Sequence, residues 1–330
     1  MMKAALWAVT SYFNPTRSRW RTANYRTFRE SLAAPLLTVE WSPDARFELG
    51  PGDADMLVQI SGGDLMWQKE RLLNLGISRL PTCCRHVAWL DCDILFENSG
   101  WMSEAMRRLD DVKLVQLYDR VLYSAPPPVG SCIESGSWPH GAIELERTGY
   151  ASVHENAPTS DRARPVATDD LATFQRLPSA GFAWAADREL LVRNPLFDTW
   201  VCGGGDSAYI LAATGKADWV LQQQGLSAAH GEHLLRRARG LCADVAGRMG
   251  YVAGSILHLW HGAFEQRRYR GRHEILARHG FDPGSFLRMA DSGAWCWGRI
   301  PPTLASAVAD YLRARDEPPH EIPVSQPAPH

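Results

Sequence analysis

HVAWLDCDILFEN, residues 86–98, opens on an apolar run, His86 to Leu90, that reads as a buried strand and ends on Asp91 and Asp93, with Cys92 between them. Side chains alternate along a strand, so the two aspartates would share a face and Cys92 would point away. Two carboxylates held together in a cleft repel each other unless a cation or protons intervene. A hard divalent ion joining them to a diphosphate is one solution. Two solvated loop aspartates are the other, and so short a pattern does not choose between them.

The flanking sequence places this strand in a sheet. Lys3 to Ser11 reads as a strand ended by the Asn14-Pro15 turn, and Trp20 to Leu32 as a helix with Tyr25, Phe28 and Leu32 on one face. Leu36 to Glu40, Met56 to Ile60 and Leu114 to Tyr118 read as further strands. Leu65 to Leu80, capped by Asp64, and Trp101 to Leu109 read as helices. This alternation predicts an open, mostly parallel α/β sheet. Its ligands would sit beyond the carboxyl ends of the strands, where Asn14, Gly62-Gly63 and the two aspartates converge. From Pro126 to Pro178 the chain is rich in Pro, Gly and Ser and reads as long loops or a lid. Beyond it come a short strand from Phe182, a helix from Asp187, a glycine loop entering a helix at GGGDSAYILAAT, and a helix from Ser227 to Arg248. A strand from Ser255 to Trp260 and a helix from Arg270 to His279 follow. The proline-rich tail after Arg315 is expected to be disordered.

The 330 residues are 45% hydrophobic and 22% charged, which suits one large domain or two small ones with an ample core. A net charge of -2 does not mark a nucleic-acid binder. Seven cysteines, odd in number and without a CxxC pair, argue against a disulfide framework or structural zinc and for a reducing cytoplasm. MMKAALWAVTSYFNP is too short an apolar run for a membrane span and has no signal-peptide cleavage pattern. No later window is long enough to span a bilayer either. Thirteen tryptophans suit core packing, and also flat carbohydrate or nucleobase sites.

Three more stretches carry chemistry. In LHLWHGAFEQRRYRGRH, His258 and His261 lie three apart and can face the same way if the chain turns before Gly262. Imidazoles suit manganese as well as zinc, although a single histidine is more often a hydrogen-bonded structural residue. Arg267, Arg268, Arg270 and Arg272 could hold phosphates or line a solvated helix face. In GGGD, Gly203 to Gly205 permit tight geometry before Asp206, which is either a helix cap or a general base. In MWQKERLLNLGI, Leu72, Leu73 and Ile77 are helix core, while Trp67 and Lys69 fall in the first turn near the ligand edge.

In this order the motifs resemble the GT-A fold nucleotide-sugar glycosyltransferases, most closely the catalytic domain of the β-1,4-galactosyltransferase type. TSYFNPTRSRW is similar to the family's first nucleotide loop, which implies that Phe13, Asn14 and Arg17 contact the nucleotide. MWQKERLLNLGI is similar to its helix entry, which adds Trp67 and Lys69. WLDCDILFEN matches its metal motif, with Asp93 as the direct ligand and Asp91 as its helper at the ribose or a metal-bound water. SAGFAWAADRELLVRNPLFDTWVCGGGD is similar to the acceptor-side block, which implies acceptor contacts from Trp184, Gly204 and Gly205 and a base at Asp206. HLWH matches the second metal element, with His258 and His261 as ligands.

The resemblance implies a Rossmann-like mostly parallel sheet flanked by helices, with manganese or magnesium as cofactor. Residues 1–125 would bind the nucleotide sugar, 126–300 would hold the acceptor and the base, and 301–330 would form an extension. The expected activity is hexosyl-type transfer from a UDP-sugar to an acceptor hydroxyl, with inversion. The acceptor could be a glycan, a protein, a small molecule or a modified nucleic-acid base. The family's block has consecutive acids, whereas here Gly205 and Ser207 flank Asp206. That departure motivates one rival, a non-catalytic nucleotide-sugar or glycan binding protein. A second rival, a nucleotidyltransferase, would need a Gly-rich, Lys-containing triphosphate loop near Asn14, which the sequence lacks.

Overall fold

The computed structural model describes residues 4–126, 142–156 and 168–315. Its first strand, β1 (Leu6–Phe13), is buried along nearly its whole length, as a strand covered on both faces must be. After it come α1 (Arg19–Ser31), β2 (Leu36–Ser42), β3 (Met56–Ser61), α2 (Lys69–Arg79) and β4 (His86–Leu90). The chain continues through β5 (Ile94–Phe96), α3 (Trp101–Leu109), β6 (Leu114–Gln116), β7 (Arg120–Ser124) and β8 (Ile143–Thr148). Next are α4 (Tyr150–Asn156), α5 (Leu171–Arg176), β9 (Ala183–Asp187), α6 (Arg188–Arg193), α7 (Gly205–Ala213) and α8 (Ala217–Gln224). The last third holds α9 (Ala228–Val245), β10 (Met249–Tyr251), β11 (Ser255–His258), α10 (Gly271–Arg278) and α11 (Pro283–Phe286). It closes with β12 (Leu287–Met289), β13 (Trp295–Trp297) and α12 (Pro302–Ala314).

The main sheet has seven strands in the order β10-β6-β9-β4-β1-β2-β3. Every pairing is parallel except at β9, which runs antiparallel to both β4 and β6. This is the mostly parallel, helix-flanked sheet that the sequence predicts. Because β9 and β10 join strands from the first 125 residues, the two expected halves share one sheet. A second sheet, β5-β11-β7-β8, stands beside it.

Helix α2 shows how tightly the layers meet. Leu72, Leu73 and Ile77 are buried against the sheet, each contributing roughly 1.5–3 kcal/mol. A Cβ on Gly76 would lie 2.7 Å from Val9 and 3.0 Å from Leu37, so only glycine lets the helix come so close. The helix starts at Lys69, later than the sequence suggests, with Gln68 at its N-cap. Asp64 is not the cap: its Oδ2 accepts from the Trp297 N–H (2.6 Å), and Gln68 Oε1 accepts from the Trp295 N–H (2.7 Å). The β12–β13 hairpin thus clamps the entry to α2 and fixes where Trp67 and Lys69 stand.

The stretch from Pro126 to Pro178 is more ordered than its composition suggests, since it contributes β8, α4 and α5. Its residues 127–141 and 157–167, where a lid was expected, lie outside the described residues, as does the tail beyond Arg315. Among the described residues, no helix is long and apolar enough to cross a membrane.

Candidate active site

β4 stops at Leu90, and residues 91–93 turn before β5. Strand alternation therefore does not orient the aspartates; the turn does. The Asp91 N–H donates to Phe182 O (2.7 Å), and Asp93 O accepts from the Leu259 N–H (2.8 Å). Asp91 and Asp93 border one cavity of about 200 Å³. Cys92 borders it too, with its thiol 3.6 Å from Ser11 O.

The second half of the cluster arrives by strand pairing. β5 runs antiparallel to β11, with Ile94 opposite His258, so Asp93 is brought to the end of β11. The chain then bends, held where Ser124 Oγ accepts from the Trp260 N–H (2.8 Å) and Trp260 O accepts from Asn24 (3.1 Å). The bend turns His261 back toward His258, with ring centroids 5.1 Å apart. Asp93 Oδ2 lies 3.0 Å from His261 Nε2 and 3.8 Å from His258 Nε2. The ligating atoms of all three residues lie within 4.8 Å of one another, and among the described residues this is the only such group.

The residues fit a divalent ion. Arg267 Nη2 lies 2.9 Å from His261 Nε2, and a guanidinium can only donate. Nε2 has one lone pair, so an ion bound there would displace Arg267 and leave Nε2 and Asp93 Oδ2 as neighbouring ligands 3.0 Å apart. Neighbouring ligands of one small divalent ion, with bonds of about 2.0–2.1 Å, sit about 3 Å apart. Asp93 Oδ1 is also buried without a partner. Burial lowers His261 to about 4 and His258 well below its ordinary value, leaving both imidazoles neutral and able to ligate. Burial opposes ionisation of Asp93, yet the carboxyl is held well below its usual range, with the Arg267 guanidinium as the permanent charge that favours its anion. One carboxylate and two imidazoles suit manganese or zinc.

Lys69 joins this cluster to the glycine loop. Its Nζ lies 2.5 Å from Asp91 Oδ1 and 3.6 Å from Asp206 Oδ2. Burial would favour neutral lysine, but Asp91, Asp206 and Glu70 outweigh it and keep Lys69 charged. Burial raises Asp91 to about 6 despite Lys69. Glu70 is pushed up to about 8 by burial, accepts at Oε2 from Trp67 Nε1 (3.1 Å), and has no partner at Oε1. A carboxyl whose folded value is raised holds its proton better in the folded state. That advantage is complete below about pH 4.5 and is lost as pH rises through about 8. Glu70→Gln, which cannot titrate, should therefore gain melting temperature over wild type between those limits in metal-free protein. A gap that stays flat across them in thermal melts would refute this.

Gly203 and Gly204 both have positive φ, +87° and +96°, and Gly204 is the N-cap of α7. Asp206 lies in the first turn of α7, where a carboxylate is favoured, and its Oδ1 accepts from the Ser207 N–H (2.7 Å). A Cβ on Gly181 would lie 3.2 Å from Asp206 Oδ2, so a second glycine keeps space at that oxygen.

No protein-family model and no curated protein matches the sequence. Solved structures are similar at low identity. One is glucosyl-3-phosphoglycerate synthase from Mycobacterium tuberculosis in complex with Mn2+, UDP-glucose and phosphoglyceric acid. It has 11% identity over 90% of this chain and 88% of that one, with a TM-score of 0.39. Another is a Drosophila β-1,4-galactosyltransferase 7 mutant with manganese, UDP-Gal and xylobiose, at 10% identity over 89% and 93%, TM-score 0.37. A third is S. aureus TarS in complex with UDP-GlcNAc, at 9% identity over 84% and 69%, TM-score 0.36. Likeness this loose leaves the chemistry of this chain to its own side chains.

Phe13, Trp67, Lys69 and Gly204 border the same cavity as the acidic and histidine residues already described. Phe13 stacks on Trp41 (5.2 Å) and meets Trp67 edge-on (5.5 Å). Four expected residues lie elsewhere. Asn14 is buried in a turn, bonded to Glu48 (2.9 Å) and Ser18 (2.9 Å). Arg17 is exposed and reaches Arg46 O (3.1 Å) and Asp44 (3.5 Å). Trp184 is 1% exposed in the middle of the main sheet, its Nε1 bonded to Ala180 O (2.9 Å), so no sugar can reach its face. Gly205 is packed behind the loop, where a Cβ would strike Phe197 O and sit 3.1 Å from Glu70 Cδ.

The cavity also has residues that the sequence did not single out: Glu70, Arg21, Arg147 and Arg315. Arg147 holds the wall together, bonding Leu177 O and Pro178 O and lying 3.8 Å over Phe174. Of the arginines flagged near the second histidine, Arg267 and Arg272 reach the cavity. Arg268 and Arg270 do not.

Proposed function

We propose that this protein is a metal-dependent glycosyltransferase that moves a sugar from a UDP-sugar to an acceptor hydroxyl with inversion. One observation carries the reading: Asp93, His258 and His261 converge in the cavity that also holds Asp206, with Lys69 between the two groups. Asp93 and the two histidines would hold the ion, which when bound would neutralise charge on the departing diphosphate. Phe13 and Trp67 flank the nucleotide, and Lys69 steadies Asp91 next to the diphosphate. Asp206 takes the proton of the acceptor hydroxyl at Oδ2 as that oxygen attacks the anomeric carbon from the side opposite the diphosphate. The acceptor approaches along the bare backbone of Gly181, beside Asp206 Oδ2.

The test is a donor screen by thermal shift, with and without manganese, followed by a UDP-release assay. Stabilisation by one UDP-sugar only when manganese is present, with release of UDP, is the expected result. Tight UDP binding without release from any donor would favour a binding protein, and pyrophosphate release from a nucleoside triphosphate would favour a nucleotidyltransferase.

A further inference from the structure

The cavity has more positive charge than its acids can balance: six arginine and lysine side chains line it against four carboxyls. Two of the cations keep a nitrogen that nothing among the described residues satisfies. Arg272 and Arg315 are each 8% exposed, and among the described residues neither forms an ion pair. Arg272 Nε and Arg315 Nη1 are buried with no hydrogen-bond partner. Arg272 lies 5.0 Å over Tyr269 and Arg315 lies 4.4 Å over Trp67, so aromatic faces offset part of their desolvation. Such contacts leave Arg272 Nε and Arg315 Nη1 unsatisfied, although Arg272 also bonds the Tyr311 side chain, and buried charges are ordinarily paired or hydrogen-bonded.

Both guanidiniums converge on the glycine loop. A Cβ built on Gly203 would lie 3.3 Å from Arg272 Nη1 and 3.7 Å from Arg315 Nη1. At Gly204 it would lie 3.0 Å from Arg272 Nη2 and 3.3 Å from His273 Nε2. Both ring nitrogens of His273 are likewise buried and unpartnered. Two like charges meet here with donors to spare, next to a backbone kept bare of side chains. Forked guanidiniums of this kind match the oxygens of a phosphate or carboxylate.

We propose that Arg272 and Arg315, with His273, bind an anionic group, a phosphate or a carboxylate, carried by the acceptor. The place of Arg272 decides acceptor over donor, while Arg315, lying over Trp67, stands where the two sides meet. Gly203 and Gly204 lead directly into Asp206, the proposed base, whereas Arg267 is the arginine beside the metal cluster at His261. Only the assignment to the acceptor rests on the glycosyltransferase reading; the anion site itself does not.

Titration calorimetry separates the possibilities, with inorganic phosphate as one probe and UDP with manganese as the other. Metal-free wild type should bind phosphate saturably. Arg272→Gln and Arg315→Gln should each weaken phosphate about tenfold or more, and Arg272→Gln should leave UDP–manganese binding unchanged. Asp93→Asn should do the reverse. Arg272→Lys and Arg315→Lys keep charge and packing but lose the fork, so they should show the same pattern at smaller size if a glutamine variant fails to fold. No phosphate binding by wild type overturns the site. Loss of UDP–manganese binding in Arg272→Gln assigns the site to the donor and overturns the acceptor reading. Phosphate binding by a wild type that does not bind UDP with manganese sinks the glycosyltransferase reading and leaves the anion site standing.

Discussion

Asp206→Asn should bind UDP and manganese like wild type yet turn over about two to four orders of magnitude more slowly. Asparagine keeps the shape of the side chain and an oxygen for the Ser207 N–H, so the start of α7 stays intact. What it loses is the ability to take a proton at the oxygen beside Gly181. The effect should fall on the chemical step alone: single-turnover kinetics should slow while the calorimetric affinity for UDP holds. The flanking residues make this a clean test, because Gly205 and Ser207 offer no second carboxylate to take over. Unchanged turnover would remove Asp206 from the reaction.

Asp93→Asn should act on a different step. Asp93 is the only carboxylate of the metal cluster, and it lies closer to His261 than to His258. Loss of a mere supporting hydrogen bond typically costs a metal site about 10–100-fold in affinity, and loss of this ligand should exceed that. Manganese should then no longer stabilise the protein in thermal melts, and UDP affinity should fall to its metal-free level. His258→Ala should weaken manganese less than His261→Ala, since its nitrogen is the more distant. Equal stabilisation of Asp93→Asn and wild type by manganese would mean that the ion, if any, binds elsewhere.

What could be read from the sequence followed from which physical signal was strong. HVAWL is an unbroken apolar run and is a fully buried strand over the predicted residues, His86–Leu90. The first helix and the strands flanking it were legible for the same reason, since burial imposes a periodicity that composition records. Strands on the rim of the second sheet were not. β8, IELERT, is mostly exposed and among the described residues pairs only with β7, so little forces apolar residues into it. The three-residue strands β5, β12 and β13 are too short to carry any pattern.

Within the cavity, residues close in sequence to an acidic or glycine motif were found, and those that reach it through tertiary packing were not. Arg315 comes from the end of α12 and Arg147 from a stretch read as loop. Trp184 failed for the opposite reason. Its neighbourhood was identified, but β9 inserts between β4 and β6, where Trp184 is covered on both sides.

The antiparallel pairing of β5 with β11 has a consequence for the life of the chain. Asp93 emerges early in synthesis and its histidine partners late, and nothing local holds them together. Contacts so distant along the chain are slow to form and must await the C-terminal third. A partly made or truncated polypeptide therefore lacks the ion-binding constellation, however well its first strands have assembled. Once complete, the ion would act as a rivet across the last closure of the fold, adding stability in proportion to its own binding.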